Sequence, residues 1–174
     1  MKRPPNCMNP KSDFIFKRLF GEQETKESLI ALLNAILKLP SDKQIQDLEV
    51  LDNKELTREL ITNKTGRLDI RALLLDKTQI NVEMQLTNDK HMDRRTLFYL
   101  GKLFLESVKI GEGYHHLKKT ITISLLDFNY LDIDRFHSTF HIYEDHEPGY
   151  MLTDVLEIHM IEFPQISQAE KGLV

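Results

Sequence analysis

Between residues 67 and 86 apolar side chains recur at every second position. Leu68, Ile70, Ala72 and Leu74 alternate with Asp69, Arg71, Leu73 and Leu75; then Ile80, Val82, Met84 and Leu86 alternate with Asn81, Glu83 and Gln85. A period of two predicts strands with one face in a core. Asp76-Lys77-Thr78 separates the runs and supplies turn chemistry, so the stretch reads as a β-hairpin. With the loop at those three residues, Asp69 faces Gln85 and Arg71 faces Glu83. Asp69 and Glu83 are then diagonal neighbours on one face, with Cβ atoms roughly 7–8 Å apart.

Helical spacing flanks this hairpin. Ser12 can cap a short helix, DFIFKRLF, that Gly21 can end. Its expected apolar stripe is Ile15 and Leu19, with Asp13, Lys17 and Arg18 on the charged side. Residues 24–39 form a longer helix, with Leu29, Ile30, Leu32, Leu33, Ile36 and Leu37 as its core stripe and Pro40 as its stop. A first strand is expected over 45–51, followed by a polar stretch, 52–66, that reads as a loop or an extended edge. A second long helix runs over 89–110 to Gly111, with Met92, Leu100, Leu103 and Phe104 as its packing side. The continuous Ile and Leu content of KTITISLLDF, 119–128, predicts a buried strand. Two later strands, 139–143 and 155–163, flank the turn-like Glu147-Pro148-Gly149. The organisation expected is a disordered lead over 1–11, one domain over 12–164, and a polar tail over 165–174.

Composition adds bounds. The 174 residues suffice for one domain with a real core, and 41% hydrophobic with 29% charged residues is ordinary for a soluble globular chain. No apolar run approaches the length of a membrane span, and the basic start MKRPPNCMNPKS lacks the apolar segment of a secretory signal. Cys7 is the single cysteine, which excludes a disulfide framework within the chain and fits a reducing, cytoplasmic setting. The net charge of −4 is unevenly spread: residues 1–126 carry 21 Lys and Arg against 17 Asp and Glu, whereas 127–174 carry 2 against 10. This asymmetry permits a phosphate-binding face without arguing for one.

The candidate chemistry centres on the hairpin. Asp69 and Glu83 at such a separation can share one octahedral Mg²⁺, whose oxygen ligands sit at about 2.0–2.1 Å. The structural alternative is an Arg71–Glu83 pair across the strands and a solvated Asp69. On the second long helix, Arg94, Arg95, Tyr99 and Lys102 include positions that can track a phosphate backbone, or form a solvated charged face. The seven histidines, His137 and His141 among them, read as structural, because the residues around that pair favour a strand and no third ligand is near. No P-loop, dinucleotide fingerprint, nucleophile elbow or HExxH motif is present.

The blocks KSDFIFKRLFG, LLNAIL, GRLDIRA, INVEMQ, DRRTLFYLGKLF, KKTITISLLDF and LEIHMIEFP occur in an order and spacing that resembles the PD-(D/E)xK nuclease core. More specifically, the chain is similar to the bacterial recombination-promoting nuclease and transposase family, the Rpn type, from about Lys11 to Phe163. The resemblance implies an α/β fold with a restriction-endonuclease-like core: a central mixed β-sheet flanked by helices in the order αβββαβ, with additional C-terminal strands. It implies a Mg²⁺- or Mn²⁺-dependent DNA endonuclease linked to recombination or transposition. Asp69 and Glu83 match the metal-binding carboxylates, the Met84 carbonyl completes the protein ligands, and Gln85 stands where the superfamily usually has Lys. Leu68 replaces the superfamily's proline, which is not itself a ligand. Asp13 and Lys17 fall in the N-terminal block and can approach the site; Arg95 and Tyr99 fall in the second-helix block and can contact DNA, with Arg94 and Lys102 on the same helix as tentative additions. Glutamine at 85 can orient a water but supplies no charge. It is typical of the Rpn type, yet it keeps open an alternative: a nuclease-fold module that binds DNA or a protein and cuts weakly or not at all. Members of the family generally continue into a helical C-terminal region, expected to fall beyond the residues of this sequence. If both strands of a duplex are to be cut, one site per chain suggests a homodimer.

Overall fold

A computed structural model describes residues 13–51, 68–88, 90–109 and 111–166. The expected lead over 1–11, the polar stretch 52–66 and residues 167–174 of the tail lie outside the described residues. The elements are α1 (Asp13–Phe20), α2 (Lys26–Leu37), β1 (Leu48–Leu51), β2 (Leu68–Leu74), β3 (Gln79–Gln85), α3 (Met92–Glu106), β4 (Thr120–Leu126), β5 (His137–Tyr143) and β6 (Met151–Glu162). The strands form one six-stranded mixed sheet in the order β1-β2-β3-β4-β6-β5. The β3–β4 and β4–β6 pairs are parallel and the others antiparallel. This is the α/β sheet with flanking helices and extra C-terminal strands that the sequence implies. Among the described residues no helix is long and apolar enough to cross a membrane.

The two faces of the sheet differ in kind. Ile70, Ala72, Ile80, Val82, Met84, Ile121, Ile123 and Leu125 pack against Phe16 of α1 and Leu29, Leu33 and Ile36 of α2, forming the hydrophobic core. On the other face stand Gln79, Asn81, Glu83 and Gln85 of β3 beside Thr120, Thr122 and Ser124 of β4. All of these are buried. Helix α3 covers them, placing Met92, Thr96, Leu100 and Leu103 inward. Alternation therefore marks a polar layer under a helix here, rather than a face open to water.

The hairpin register differs from the expected one. Asp69 pairs with Glu83 and Arg71 with Asn81, so Asp69 does not face Gln85 and Arg71 does not face Glu83. The Arg71 guanidinium instead bonds Glu106 of α3 at 2.9 Å. The cause is the loop, which is Leu75-Asp76-Lys77: Lys77 N–H donates to the Leu74 carbonyl (3.0 Å) and Leu74 N–H to the Thr78 carbonyl (2.9 Å). Lys77 takes φ 69°, the left-handed residue that closes a three-residue hairpin loop. Asp76 Oδ1 accepts the Thr78 N–H at 2.9 Å and fixes the turn. Leu75 looks like strand but is 75% exposed in the turn. Moving the loop back one residue shifts every cross-strand partner by two and leaves each side chain on its expected face.

Other boundaries move for identifiable reasons. The buried side of α1 is Phe16 (2% exposed), stacked on Phe20 at 5.2 Å, whereas Leu19 is 41% exposed. The expected Ile15–Leu19 stripe is thus displaced by one position. Strand β1 starts at Leu48 rather than 45, because the Asn34 amide grips Ile45 twice, accepting its N–H at 2.9 Å and donating to its carbonyl at 3.0 Å. Helix α2 ends on left-handed Lys38, before Pro40. Helix α3 ends at Glu106, well before Gly111; Ser107 Oγ donates to the Phe104 carbonyl at 2.7 Å and accepts the Lys118 N–H at 3.0 Å.

The histidines of β5 and β6 form a polar cluster at the far end of the core face. His159 Nε2 lies 2.7 Å from Glu157 Oε1, and His159 Nδ1 lies 2.8 Å from His137 Nε2. Lys119 Nζ and His141 Nε2 approach Glu157 Oε2 at 2.7 and 3.5 Å. The hydrogen bond from His159, with Lys119 adding to it against the opposing effect of burial, holds the Glu157 carboxyl at about 2. An ionised Glu157 accepts only, so His159 donates to it through Nε2, while His159 Nδ1 shares a hydrogen bond with His137 Nε2. Burial first, and then the neighbouring His159 ring and Lys38, push His137 below its ordinary value.

Two outcomes follow. Lys77→Gly is expected to raise stability in denaturant unfolding by about 1 kcal/mol, because glycine carries no left-handed penalty, while Leu75→Gly lowers it. For the cluster, both folded pKa values lie below the unfolded ones, so the unfolded chain binds more protons and stability rises with pH. The Glu157 contribution is complete above its ordinary value of 4.5 and is lost as pH falls toward about 2. The His137 contribution is lost as pH falls through its ordinary 6.5 and below. Glu157→Gln is expected to lower stability at pH 7 and to flatten the acid limb of an unfolding series.

Candidate active site

The polar face of the sheet concentrates its charge at the C-terminal ends of β3, β4 and β6. Crevices beyond the carboxyl ends of parallel strands are where open α/β sheets bind ligands. Here the alternation of β3 sends Glu83 and Gln85 under α3 and Met84 into the core behind them. The Glu83 side chain is 1% exposed. An ionised carboxylate so placed requires a countercharge and full hydrogen bonding. The countercharge and one amide donor come to its Oε1 atom: Gln85 Nε2 donates at 2.5 Å, and the Arg95 guanidinium donates from the first turn of α3. Arg95 is itself only 12% exposed in its side chain and lies 5.6 Å over the Tyr99 ring.

The register sets Asp69 directly opposite Glu83 rather than diagonal to it. Direct cross-strand partners bring Cβ atoms about 4.5–5.5 Å apart, closer than the diagonal geometry expected from sequence. The Asp69 side chain lies outside the described residues, as does that of Asp13. Met84 can offer the site only backbone, since its side chain is core. Gln85 is buried, and its carbonyl accepts the Asp127 N–H at 2.9 Å, tying the end of β3 to the end of β4. Of the helix residues, Arg95, Tyr99 and Lys102 recur at one-turn spacing along α3, and Arg94 stands exposed beside them. Lys17 is exposed on α1, a helix that packs against β2 and α2.

Several residues of this end were not singled out from sequence. Ser124 sits next to Glu83 in the parallel β3–β4 ladder, and the Ser124 and Thr122 hydroxyls, with that of Thr96 above, are buried without a hydrogen-bond partner among the described residues. The sequence signal was Thr120, Thr122 and Ser124 alternating with Ile121, Ile123 and Leu125, a polar stripe hidden in an apolar run. Glu162, also buried, accepts the Tyr130 N–H, the Leu131 N–H at 3.0 Å and Gln165 Nε2 at 3.2 Å, which pins the loop after β4. Tyr130 in turn donates its hydroxyl to Asp93 Oδ1 at 2.9 Å. The Arg94 backbone N–H, and then that hydroxyl, hold the Asp93 carboxyl below its usual range.

The donor chemistry bears on which ion fits. Among the described residues no group of three or more His, Cys, Asp or Glu side chains forms a metal cluster. Glu83 and Asp69, at opposite register positions, and nearby backbone carbonyls can offer oxygen donors. Such a set suits a hard ion of the Mg²⁺ or Mn²⁺ kind and not a thiolate- or imidazole-bound metal.

A model of the PD-(D/E)XK nuclease family transposases matches residues 10–173. No curated protein and no solved structure matches the chain. With the family model spanning nearly the whole length, and the sheet, helices and buried Glu-x-Gln of β3 arranged as described, the chain belongs to the PD-(D/E)XK nuclease family transposases.

Proposed function

We propose that this chain is a divalent-metal-dependent DNA endonuclease serving a transposition or recombination reaction, with its site on the β2–β3 hairpin. The observation that carries the reading is the buried Glu83 carboxylate with Asp69 directly across the strands and the Gln85 amide on its oxygen. Family membership supports a nuclease fold and a DNA substrate. Asp69, Glu83 and the Met84 carbonyl are the residues proposed to hold the ion. When bound, Mg²⁺ or Mn²⁺ supplies Lewis-acid polarisation of a phosphate oxygen and a lowered pKa for water.

The chain's own groups do the rest. Gln85 can accept a hydrogen bond from the attacking water and so aim it in line with the leaving oxygen, without adding charge. The α3 stripe of Arg95, Tyr99 and Lys102, with Arg94 beside it, offers positive charge and a flat ring to the nucleic-acid backbone. Helix α3 lies over the polar face and keeps bulk water from Glu83, which strengthens each electrostatic contact there. Lys17 and Asp13 of α1 are proposed as more peripheral contacts. A second reading, a DNA-binding module that cuts weakly or not at all, is favoured by Gln85, which cannot stabilise the charge that a lysine would.

The test is nicking of a supercoiled plasmid with Mg²⁺ or Mn²⁺, with EDTA as control. Wild type is expected to nick only with the ion, and Glu83→Ala to lose at least about 100-fold in rate, the scale of removing one transition-state electrostatic element. Nicking that survives Glu83→Ala overturns the site. A wild type that binds the ion and stays inert selects the second reading.

A further inference from the structure

We propose that Arg95 is a built-in counter-ion that occupies Glu83 in the metal-free protein and is handed to a DNA phosphate when the divalent ion takes the carboxylate. On this account metal and DNA each tighten the binding of the other. The inference rests on the reading of Asp69 and Glu83 as metal ligands.

Two facts of geometry support it. The first is that the Arg95 guanidinium and the Gln85 amide converge on one oxygen of Glu83, a carboxylate sealed from water. The amide is neutral and can stay. The guanidinium carries the charge that keeps the metal-free site electrically tolerable, and it is the group in conflict with an incoming ion. Two positive centres on one carboxylate repel in inverse proportion to their distance, and strongly where water is excluded. The metal and Arg95 therefore compete for Glu83.

The second fact is where Arg95 can go. It springs from the first turn of α3 and lies against the Tyr99 ring, beside exposed Arg94 and at the rim of the polar face. A guanidinium presents five N–H donors in a planar fork that matches a phosphate diester as well as a carboxylate. A phosphate arriving at this rim offers Arg95 an anion that the metal does not contest. DNA and Glu83 thus compete for Arg95 while Arg95 and the metal compete for Glu83. Linkage makes the two bindings reciprocal: whatever factor DNA adds to metal affinity, metal adds to DNA affinity. In the absence of DNA the pairing holds the site closed to the ion, which restrains cleavage chemistry away from substrate.

Calorimetric titration with Ca²⁺, which occupies carboxylate sites of this kind, reads the competition directly. Wild type, Arg95→Met and Glu83→Gln are compared with and without a short duplex. Arg95→Met without DNA is expected to bind Ca²⁺ about tenfold more tightly than wild type, within the range of site-to-site coupling. Its metal-free form is expected to unfold at lower temperature, and added duplex is expected to tighten Ca²⁺ binding in wild type but not in this variant. Should Arg95→Met fail to fold, Arg95→Gln keeps an amide donor toward Glu83 without the charge and gives the same comparison. Equal or weaker Ca²⁺ affinity in the folded Arg95 variant, with wild-type binding lost in Glu83→Gln, overturns the hand-over and leaves the metal site standing. If Glu83→Gln binds Ca²⁺ as wild type does, or no protein binds it, the metal-site reading fails and the hand-over fails with it.

Discussion

A carboxylate buried beneath a helix must be compensated, and the arrangement at Glu83 meets that requirement. Its β-strand carries it to the polar face, the neighbouring Gln85 turns its amide back onto it, and α3 lowers Arg95 from above. The same layer explains why α3 is fastened by polar links as well as by Met92, Leu100 and Leu103. Gln79 Nε2 bonds the Leu103 carbonyl at 3.1 Å, Arg71 bonds Glu106 at 2.9 Å, and Asp93 bonds Tyr130. An apolar face would grip the helix more simply and leave nowhere for charged chemistry. The hydrophobic work is done on the other side of the sheet, where α1 and α2 close a continuous core. One face supplies stability and the other holds the charge.

Much of this was legible in the sequence because it depends on periodicity. The hairpin strands, the α2 stripe, the buried β4 and the late strand pair all follow from which residues are apolar and how often they recur. What was not legible depends on single contacts. The hairpin register turned on whether Leu75 continues the strand or opens the turn, and hydrophobicity gives the wrong answer there. The Asp76 side chain and the left-handed Lys77 decide it. Likewise Ile45 to Asp47 look like strand, but Asn34 claims Ile45 for α2. On α1, a helix this short can bury either of two adjacent stripes, and the aromatic pair at Phe16 and Phe20 buries more surface than Ile15 and Leu19.

The candidate site shows the same division. Glu83 could be singled out because an acidic residue inside a strong strand asks for a reason, and Gln85 through its place in the family's motif. The partner of Glu83 could not, since Arg95 reads from sequence as one of several basic residues on a helix face. The pairing expected for Glu83, Arg71, fell away with the register. The Thr-x-Thr-x-Ser stripe of β4 was obscured by the Ile and Leu residues between, although it marks the same polar layer. Family membership fixes the nuclease fold, while the direct opposition of Asp69 and Glu83 comes from the register alone.

The claim at the centre of this account is that the ion sits between β2 and β3. Loading the protein with Fe²⁺ in place of Mg²⁺ and adding peroxide generates hydroxyl radicals that cut the backbone near the bound iron, and mass spectrometry reads the positions. The account predicts cuts clustered around Asp69 and around Glu83 to Gln85, suppressed by excess Mg²⁺. Cuts confined elsewhere, for example at the His137–His159 cluster, or an absence of metal-protected cuts on the hairpin, would contradict it.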